Sequence, residues 1–183
     1  MESSTPDPKK RLLLHICCAP CSSAAIERLR SEYDLTGFFS NANIAPEPEY
    51  WRRLSEARRL AAELEIPFVV DTYDHADWLA CIKGYEDEPE GGARCERCFA
   101  FSLSHAAAYA EANGFDLYTT TLSISPHKHT PTIFRVGHEQ GPFLDVDLKK
   151  QAGFQRSLEL SREYDLYRQD YCGCEFSLAQ SRK

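Results

Sequence analysis

The chain has 183 residues, enough to bury a hydrophobic core, and we expect residues 10–183 to form one domain after a disordered tail at residues 1–9. Apolar residues make up 43% and charged residues 27%, and no apolar run approaches the roughly 20 residues of a membrane span. The net charge of −7 argues against general nucleic-acid binding through a basic surface. We therefore expect a cytoplasmic globular protein without membrane contact.

Short apolar runs alternate with helical patterns over the first two thirds of the chain. Strands are predicted at residues 11–16, 35–40, 68–71 and 116–121, and helices at residues 22–33, 49–64, 75–83 and 94–113. The remainder predicts a helix, an irregular strand, another helix and a tail. This alternation favours an α/β fold with a mostly parallel sheet flanked by helices, Rossmann-like or HUP-like, and a helical C-terminal part.

Seven of the eight cysteines fall into three tight clusters. They are Cys17, Cys18, Cys21, Cys95, Cys98, Cys172 and Cys174. In a reducing compartment, clustered thiols are more often metal ligands or redox groups than a disulfide framework. The eighth, Cys81, stands alone in an apolar helical pattern, and we predict that it is a buried packing residue.

The clusters lie where an α/β sheet places its ligands. Cys17–Cys21 follows the first predicted strand, and residues 41–46 and 120–128 follow the second and fourth, at the carboxyl edge of the sheet. Cys95 and Cys98 share one face of a helix start, where the helix dipole favours thiolate. Gly173, between two cysteines, allows the backbone to fold closely around a sulfur-rich centre.

Spacing alone leaves three kinds of chemistry open. A structural zinc ion takes four ligands, as does a [4Fe-4S] cluster, and either would leave three clustered cysteines for a second metal. Thiol–disulfide exchange at Cys95 and Cys98 needs no metal but leaves five clustered thiols unexplained. The spacing favours an iron–sulfur centre over zinc and over dithiol redox chemistry.

Four longer motifs carry a family resemblance. They are His15-Ile-Cys-Cys-Ala-Pro-Cys, Lys83-Gly-Tyr-Glu-Asp-Glu-Pro-Glu-Gly-Gly-Ala-Arg-Cys-Glu-Arg-Cys-Phe, Thr120-Thr-Leu-Ser-Ile-Ser-Pro-His-Lys and Leu166-Tyr-Arg-Gln-Asp-Tyr-Cys-Gly-Cys-Glu-Phe-Ser. Over residues 11–178 the chain closely resembles the QueH-type epoxyqueuosine reductases, which work without cobalamin. The resemblance implies reduction of epoxyqueuosine to queuosine in the wobble position of tRNA, the final step of queuosine biosynthesis.

The resemblance also implies two metal centres and two partners. The centres are a [4Fe-4S] cluster and a nearby mononuclear iron, and the partners are tRNA carrying epoxyqueuosine in its anticodon and an unidentified electron donor. Some family members carry Asp where this chain has Cys21, and both side chains are anionic ligands, so we expect Cys21 at the mononuclear iron. The other six clustered cysteines are cluster or iron ligands, and their division between the two centres stays open.

Several further residues are candidates for roles in this reaction. Forming an alkene from the epoxide with loss of water needs two electrons and two protons, and the candidate proton donors are His127, Tyr171, Ser125 and Glu90. The candidate tRNA contacts are Arg52, Arg53, Lys128, Lys149, Lys150 and Arg168, with Tyr50, Trp51 and Tyr171 for base stacking. His15 is predicted to be a hydrogen-bonded core histidine. The acidic loop at residues 86–92 holds arginine residues, offsets the charge of the cluster or is solvated.

Overall fold

The computed structural model describes residues 8–181. Its strands are β1 (Arg11–His15), β2 (Asp34–Phe39), β3 (Phe68–Val70) and β4 (Leu117–Thr120). Its α-helices are α1 (Ala19–Leu29), α2 (Glu47–Glu63), α3 (His75–Cys81), α4 (Ala93–Ala112), α5 (Thr130–Gln140), α6 (Gly153–Glu163) and α7 (Glu175–Ser181). A 3-10 turn, Thr121–Ile124, follows β4 directly. Of the disordered tail expected at residues 1–9, residues 1–7 fall outside the described residues.

The four strands form one parallel sheet in the order β3-β2-β1-β4. In its centre, β1 pairs with β2 from Arg11 to His15 and with β4 from Leu12 to His15. Helices cover both faces, so the predicted α/β fold with a parallel sheet is confirmed. The carboxyl ends of β1, β2 and β4 lie side by side as a consequence of this register.

The side chains of β1 anchor both helical layers. Leu12, Leu14 and Ile16 pack with side chains of α1, α2 and α6 on one face, whereas Leu13 packs with α4 and α5 on the other. All four are fully buried. Truncating such a leucine to alanine typically costs about 2–5 kcal/mol. The strand that leads into the first cysteine cluster is therefore held tightly on both sides.

Helix α1 begins three residues earlier than predicted, and this changes where Cys21 lies. Cys18 is the N-cap and Pro20 occupies the first turn, where a missing backbone N–H costs nothing. Cys21 therefore belongs to the first helical turn. The helix also ends earlier, at Leu29. The other predicted strands and helices of the first two thirds agree with the structure to within two residues.

The C-terminal third contains one more helix than predicted. Helices α5 and α6 confirm the two predicted helices, and the irregular strand is a single bridge between Tyr118 and Phe143. The predicted tail, however, contains α7, which starts directly after Cys174. Across residues 8–181, every helix is too short or too polar to cross a lipid bilayer.

Candidate metal centre

Three cysteines at the carboxyl end of β1 form the first thiol site, which we call the trio. The sulfur atoms of Cys17, Cys18 and Cys21 all lie within 4.8 Å of one another, and those of Cys17 and Cys18 are 3.9 Å apart. Around one tetrahedral zinc ion with metal–sulfur bonds of about 2.3 Å, ligand sulfurs are about 3.8 Å apart. The trio is therefore close to the spacing that a single metal ion requires.

Neighbouring strand ends fix the trio. The backbone N–H of Cys17 donates to Thr121 Oγ1 over 3.0 Å, and the Thr121 hydroxyl donates to Cys17 Sγ over 3.2 Å. Asn41, just after β2, donates from Nδ2 to the carbonyl oxygen of Ile16 over 2.8 Å. The predicted convergence of three strand-end segments is thus confirmed.

The trio's thiols differ in acidity because they share hydrogen bonds. Hydrogen bonds from Cys17 and Cys21 lower the pKa of Cys18 far below its ordinary value. The hydrogen bond to Cys18 raises the pKa of Cys17 to about 12, and bonds to Cys17 and Cys18 raise the pKa of Cys21. One thiolate therefore forms readily, and a metal ion binding all three sulfurs must displace the other two protons. Such binding strengthens as the pH rises.

The remaining four clustered cysteines form a second site, the quartet. Cys95 and Cys98 lie in the first two turns of α4, and Cys172 and Cys174 come from the segment before α7. All four line one small cavity. Burial raises the pKa of Cys98, and the negative charges of Cys172 and Cys174 raise it further. The predicted placement of Cys95 and Cys98 on one helix face is confirmed.

The quartet is more widely spaced than the trio. Within residues 8–181, the trio is the only group of three or more such ligands whose donor atoms all lie within 4.8 Å of one another. The quartet therefore does not converge on a point that one ion could occupy. A polynuclear group, with several metal ions standing between the four sulfurs, suits it better.

Buried hydrogen-bond donors test whether an iron–sulfur cluster fits the quartet's cavity. Arg94 Nε, Arg94 Nη2 and Trp78 Nε1 line it without an acceptor among the described residues. The Trp78 N–H lowers the pKa of the nearby Cys98 thiol but does not make a hydrogen bond of ordinary geometry with it. Each unsatisfied donor costs about 1–3 kcal/mol. Four thiols and three free donors fit an anionic group rich in sulfur acceptors, as a [4Fe-4S] cluster is.

Both thiol sites open onto one cleft of about 610 Å³. Cys17 and Cys21 of the trio and Cys98 and Cys172 of the quartet line it. Lys128 lies among them, half-buried; burial lowers its pKa, but interaction with the sulfurs of Cys172, Cys17 and Cys21, when these carry negative charge, outweighs this and raises it. Lys128 is therefore an ammonium that faces sulfur, and its role as a tRNA phosphate contact stays a prediction.

The four predicted proton donors all line this cleft but differ in their hydrogen bonds. The Tyr171 hydroxyl donates to the carbonyl oxygen of Ala45 over 2.7 Å. The Glu90 carboxylate accepts from the Ser177 hydroxyl over 3.0 Å.

The other two candidates belong to the loop after the 3-10 turn. Ser125 Oγ accepts from the backbone N–H of His127 over 3.3 Å. The His127 imidazole is exposed and makes no hydrogen bond to the side chains or backbone of residues 8–181. His127 is thus the candidate whose side chain is free to meet a ligand in the cleft.

Several predicted surface contacts are in fact structural. Arg53 is 2% exposed and donates to Glu49 and to the carbonyl oxygens of Cys172 and Tyr171, so it cannot reach a phosphate. Tyr50 is also 2% exposed and cannot stack on a base.

Lys149 is held internally as well, since its ammonium donates to the carbonyl oxygen of Lys128 over 3.0 Å. The predicted contacts that do lie on the surface are Trp51, Arg52, Lys150 and Arg168. Among them, Arg168 lines the cleft.

Two predictions about single residues have opposite outcomes. His15 is fully buried, its Nδ1 lies 2.8 Å from Thr120 Oγ1 and its Nε2 lies 3.0 Å from the carbonyl oxygen of Ser40, as expected of a core histidine. Burial lowers the pKa of His15 to about 4. Cys81, by contrast, is partly exposed at the end of α3, so the prediction that it is buried is wrong.

Three residues around the thiols were missed by sequence reasoning. Arg94 and Trp78 line the quartet's cavity, and Gln169 lines the cleft. The Gln169 side chain lies near enough to Cys18 to lower the pKa of that thiol, while its Oε1 is buried without a partner among the described residues. Arg94 and Gln169 lie inside the longer motifs and close to cysteines in the sequence, and this proximity could have indicated a role at the thiol sites. Trp78 gave no such indication, because tryptophan in an apolar helix predicts only packing.

We predict that Gly173→Ala lowers metal content without removing a ligand. Gly173 has φ +156°, and a Cβ there would lie 2.9 Å from Asn43 Nδ2 and 3.3 Å from Ile44 Cγ1. Either the Asn43 and Ile44 side chains or the backbone between Cys172 and Cys174 would have to shift, and the positive φ adds strain. Metal and sulfide analysis of the purified variant, with Gly84→Ala as a control at an open positive-φ position, measures the effect. Full metal content in Gly173→Ala would show that the close approach is dispensable.

Comparison with known proteins gives the family. Residues 12–180 match the family model of the epoxyqueuosine reductase QueH. Relatives named epoxyqueuosine reductase QueH include that of Streptococcus pyogenes serotype M1, 39% identical over 177 residues (91% of this chain and 69% of the relative). The relative from Haemophilus influenzae is 40% identical and is matched over 97% of this chain and 76% of its own length. The relative from Thermotoga maritima is 35% identical and is matched over 94% of this chain and 92% of its own length. The chain belongs to the epoxyqueuosine reductase QueH family.

Proposed function

We propose that this chain reduces epoxyqueuosine to queuosine in the wobble position of tRNA, the final step of queuosine biosynthesis. Family membership supports the reaction. The observation that carries the proposal for this molecule is that two separate thiol sites, the trio and the quartet, open onto one cleft. A two-electron reduction that also breaks a carbon–oxygen bond has a use for two neighbouring centres.

We assign a [4Fe-4S] cluster to the quartet and a mononuclear iron to the trio. The wider spacing and the free donors around Cys95, Cys98, Cys172 and Cys174 support the first assignment, and the close spacing that includes Cys21 supports the second. When bound, the two groups would supply electrons singly and a Lewis acid for the epoxide oxygen. The protein's own residues must then orient the nucleoside in the cleft and deliver two protons.

His127 is the proton donor that we propose for the departing oxygen. It lies in the loop after the 3-10 turn, lines the cleft, and has an imidazole without a partner among residues 8–181. Tyr171 and Glu90 already hold hydrogen bonds with the protein. Lys128 keeps a positive charge beside the thiolates and so favours the approach of the anionic tRNA.

Two cysteine substitutions should separate the two centres. In Cys98→Ala we expect loss of brown colour and of the iron–sulfur Mössbauer signal. In Cys21→Ala we expect an intact cluster and no turnover of tRNA containing epoxyqueuosine, measured anaerobically by nucleoside mass spectrometry. Cys81→Ala, outside both sites, is the control and should keep full activity.

The same measurements separate this function from two others. A zinc-binding interaction module would be colourless after anaerobic purification, and a dithiol oxidoreductase would need no metal. Undiminished activity in Cys21→Ala would remove the role of the trio. Wild-type protein that is colourless and inactive on the modified tRNA would contradict the proposed function as a whole.

We predict that His127→Gln lowers turnover by about 10²-fold or more, as expected when a general acid is lost. Metal content should be unchanged, since the side chain contacts neither thiol site. The matched control is His129→Gln, an exposed neighbour whose Nδ1 lies 2.9 Å from Thr132 Oγ1. The measurement is single-turnover rate on modified tRNA, and a wild-type rate in His127→Gln would assign the proton to another group.

We predict that Arg168→Gln weakens tRNA binding and lowers its salt dependence. Arg168 is an exposed cation on the rim of the cleft, and each lost phosphate contact reduces the slope of log affinity against log salt by about 1. Arg162→Gln, an exposed arginine on α6 that does not line the cleft, is the control. Binding titrations at several salt concentrations measure the slope. Equal slopes in wild type and Arg168→Gln would place the tRNA backbone elsewhere.

A further inference from the structure

Arg94 is a buried cation next to the quartet. Its side chain is 1% exposed and lines the cavity beside Cys95, in the first turn of α4. Nη1 donates to the carbonyl oxygens of Glu86 (2.7 Å) and Glu88, while Nε and Nη2 have no acceptor among the described residues. The acidic loop therefore does hold an arginine, but through its backbone rather than its carboxylates.

No carboxylate within residues 8–181 forms an ion pair with Arg94. A buried charge without a counter-charge costs several kcal/mol, so the fold keeps this guanidinium for some other anion. The quartet supplies one. All four cysteines of the quartet line the same cavity as the Arg94 side chain, where its Nε and Nη2 are buried without an acceptor among residues 8–181. Negative charge on the sulfurs, or on a group that they bind, would supply the missing counter-charge.

Trp78 adds a donor from another side of the same cavity. Its ring is fully buried under α7, 6.3 Å from the ring centroid of Phe176, and its Nε1–H has no regular acceptor. The Arg94 guanidinium carbon lies 4.9 Å from the centroid of the same Phe176 ring. Phe176 therefore packs against both donor side chains and limits their movement.

We propose that Arg94 is a positioning residue for the four-cysteine centre, and that its charge and free N–H groups, with the N–H of Trp78, stabilise the reduced form of the cluster. The inference rests on the proposed function, because it takes a [4Fe-4S] cluster as the occupant of the quartet. An added electron increases the negative charge in the cavity, so a fixed cation and aligned donors stabilise the reduced state more than the oxidised one. Hydrogen bonds and buried charge set the potentials of such clusters in this way.

The alternative is that Arg94 only anchors the loop at residues 86–92 through Nη1. Arg94→Gln separates the two roles, since it removes the charge but leaves an amide that can donate to a loop carbonyl. In the cluster-loaded variant we expect the ratio of reduced to oxidised cluster, at a fixed applied potential, to fall at least tenfold. For one electron this equals a shift of about 59 mV in midpoint potential. The measurement is a redox titration followed by electron paramagnetic resonance.

Two further variants make the comparison specific. Arg97→Gln removes the same charge from the exposed side of α4, where the guanidinium lies 4.2 Å from the Tyr85 ring centroid, and should leave the ratio unchanged. Trp78→Phe keeps an aromatic ring and removes only the N–H, so we expect a change in the same direction as Arg94→Gln but smaller. A wild-type ratio in loaded Arg94→Gln would overturn the proposal.

If Arg94→Gln does not take up a cluster, Arg94→Lys is the variant that decides, because lysine keeps the positive charge but lacks the planar guanidinium. A loaded Arg94→Lys with a reduced fraction within tenfold of wild type supports the proposal. If Arg94→Lys takes up no cluster, or if its reduced fraction is lowered more than tenfold, the shape of arginine and not its charge is needed. Either result overturns the proposal. Wild-type protein without a [4Fe-4S] cluster would instead contradict the proposed cofactor, so the two failures are distinguishable.

Discussion

The buried guanidinium of Arg53 holds the C-terminal segment against the α/β body, and the quartet depends on it. It pairs with Glu49 over 2.7 Å on α2 and donates to the carbonyl oxygen of Cys172 over 2.8 Å. In other proteins, removing one partner of a buried ion pair costs about 3–5 kcal/mol. Two of the quartet's four cysteines precede α7, far along the chain from Cys95 and Cys98. The Arg53 contacts, together with the hydrogen bonds from Tyr171 to Ala45 and from Ala45 to Gly173, keep this segment beside the start of α4, so that all four cysteines line one cavity.

Electrostatics explains why both thiol sites lie at helix starts. The trio surrounds the N-terminus of α1 and the quartet includes the first turns of α4, so helix dipoles favour thiolate in both. Dipoles alone are too weak for seven clustered sulfurs, since each helix dipole contributes about 0.3–1 kcal/mol. Two cations, the half-buried Lys128 and the buried Arg94, add further stabilisation of negative charge on the sulfurs. Lys128 faces sulfurs of both sites, and Arg94 faces the quartet alone.

Much of this arrangement could be predicted from the sequence, and the exceptions have physical causes. The apolar run at residues 11–16 and its neighbours predicted a parallel sheet, since uninterrupted apolar strands require burial on both faces. The cysteine spacing predicted metal ligands, but it did not predict which cysteines share a site. The trio is local in the chain, whereas the quartet joins residues 77 positions apart (95 to 172). Such pairing depends on Arg53, which in the sequence looked like one of several arginines on a helix surface.

The basic residues show the limit of reading charge from sequence. Arg52 and Arg53 are neighbours, yet one lies exposed with its guanidinium 3.4 Å from the Tyr167 ring centroid and the other is buried against a carboxylate. Neighbouring side chains on a helix point about 100° apart, so Arg52 and Arg53 lie on different faces of α2. The C-terminal segment covers the face that carries Arg53. Lys128 and Lys149 likewise point inward, from loops. Lys128 and Arg94 face sulfur rather than open solvent, and the net charge of −7 opposes unspecific attraction of a polyanion. Under the proposed function, productive binding must then rely on the shape of the cleft and on its fit to the modified nucleoside, more than on the tRNA backbone.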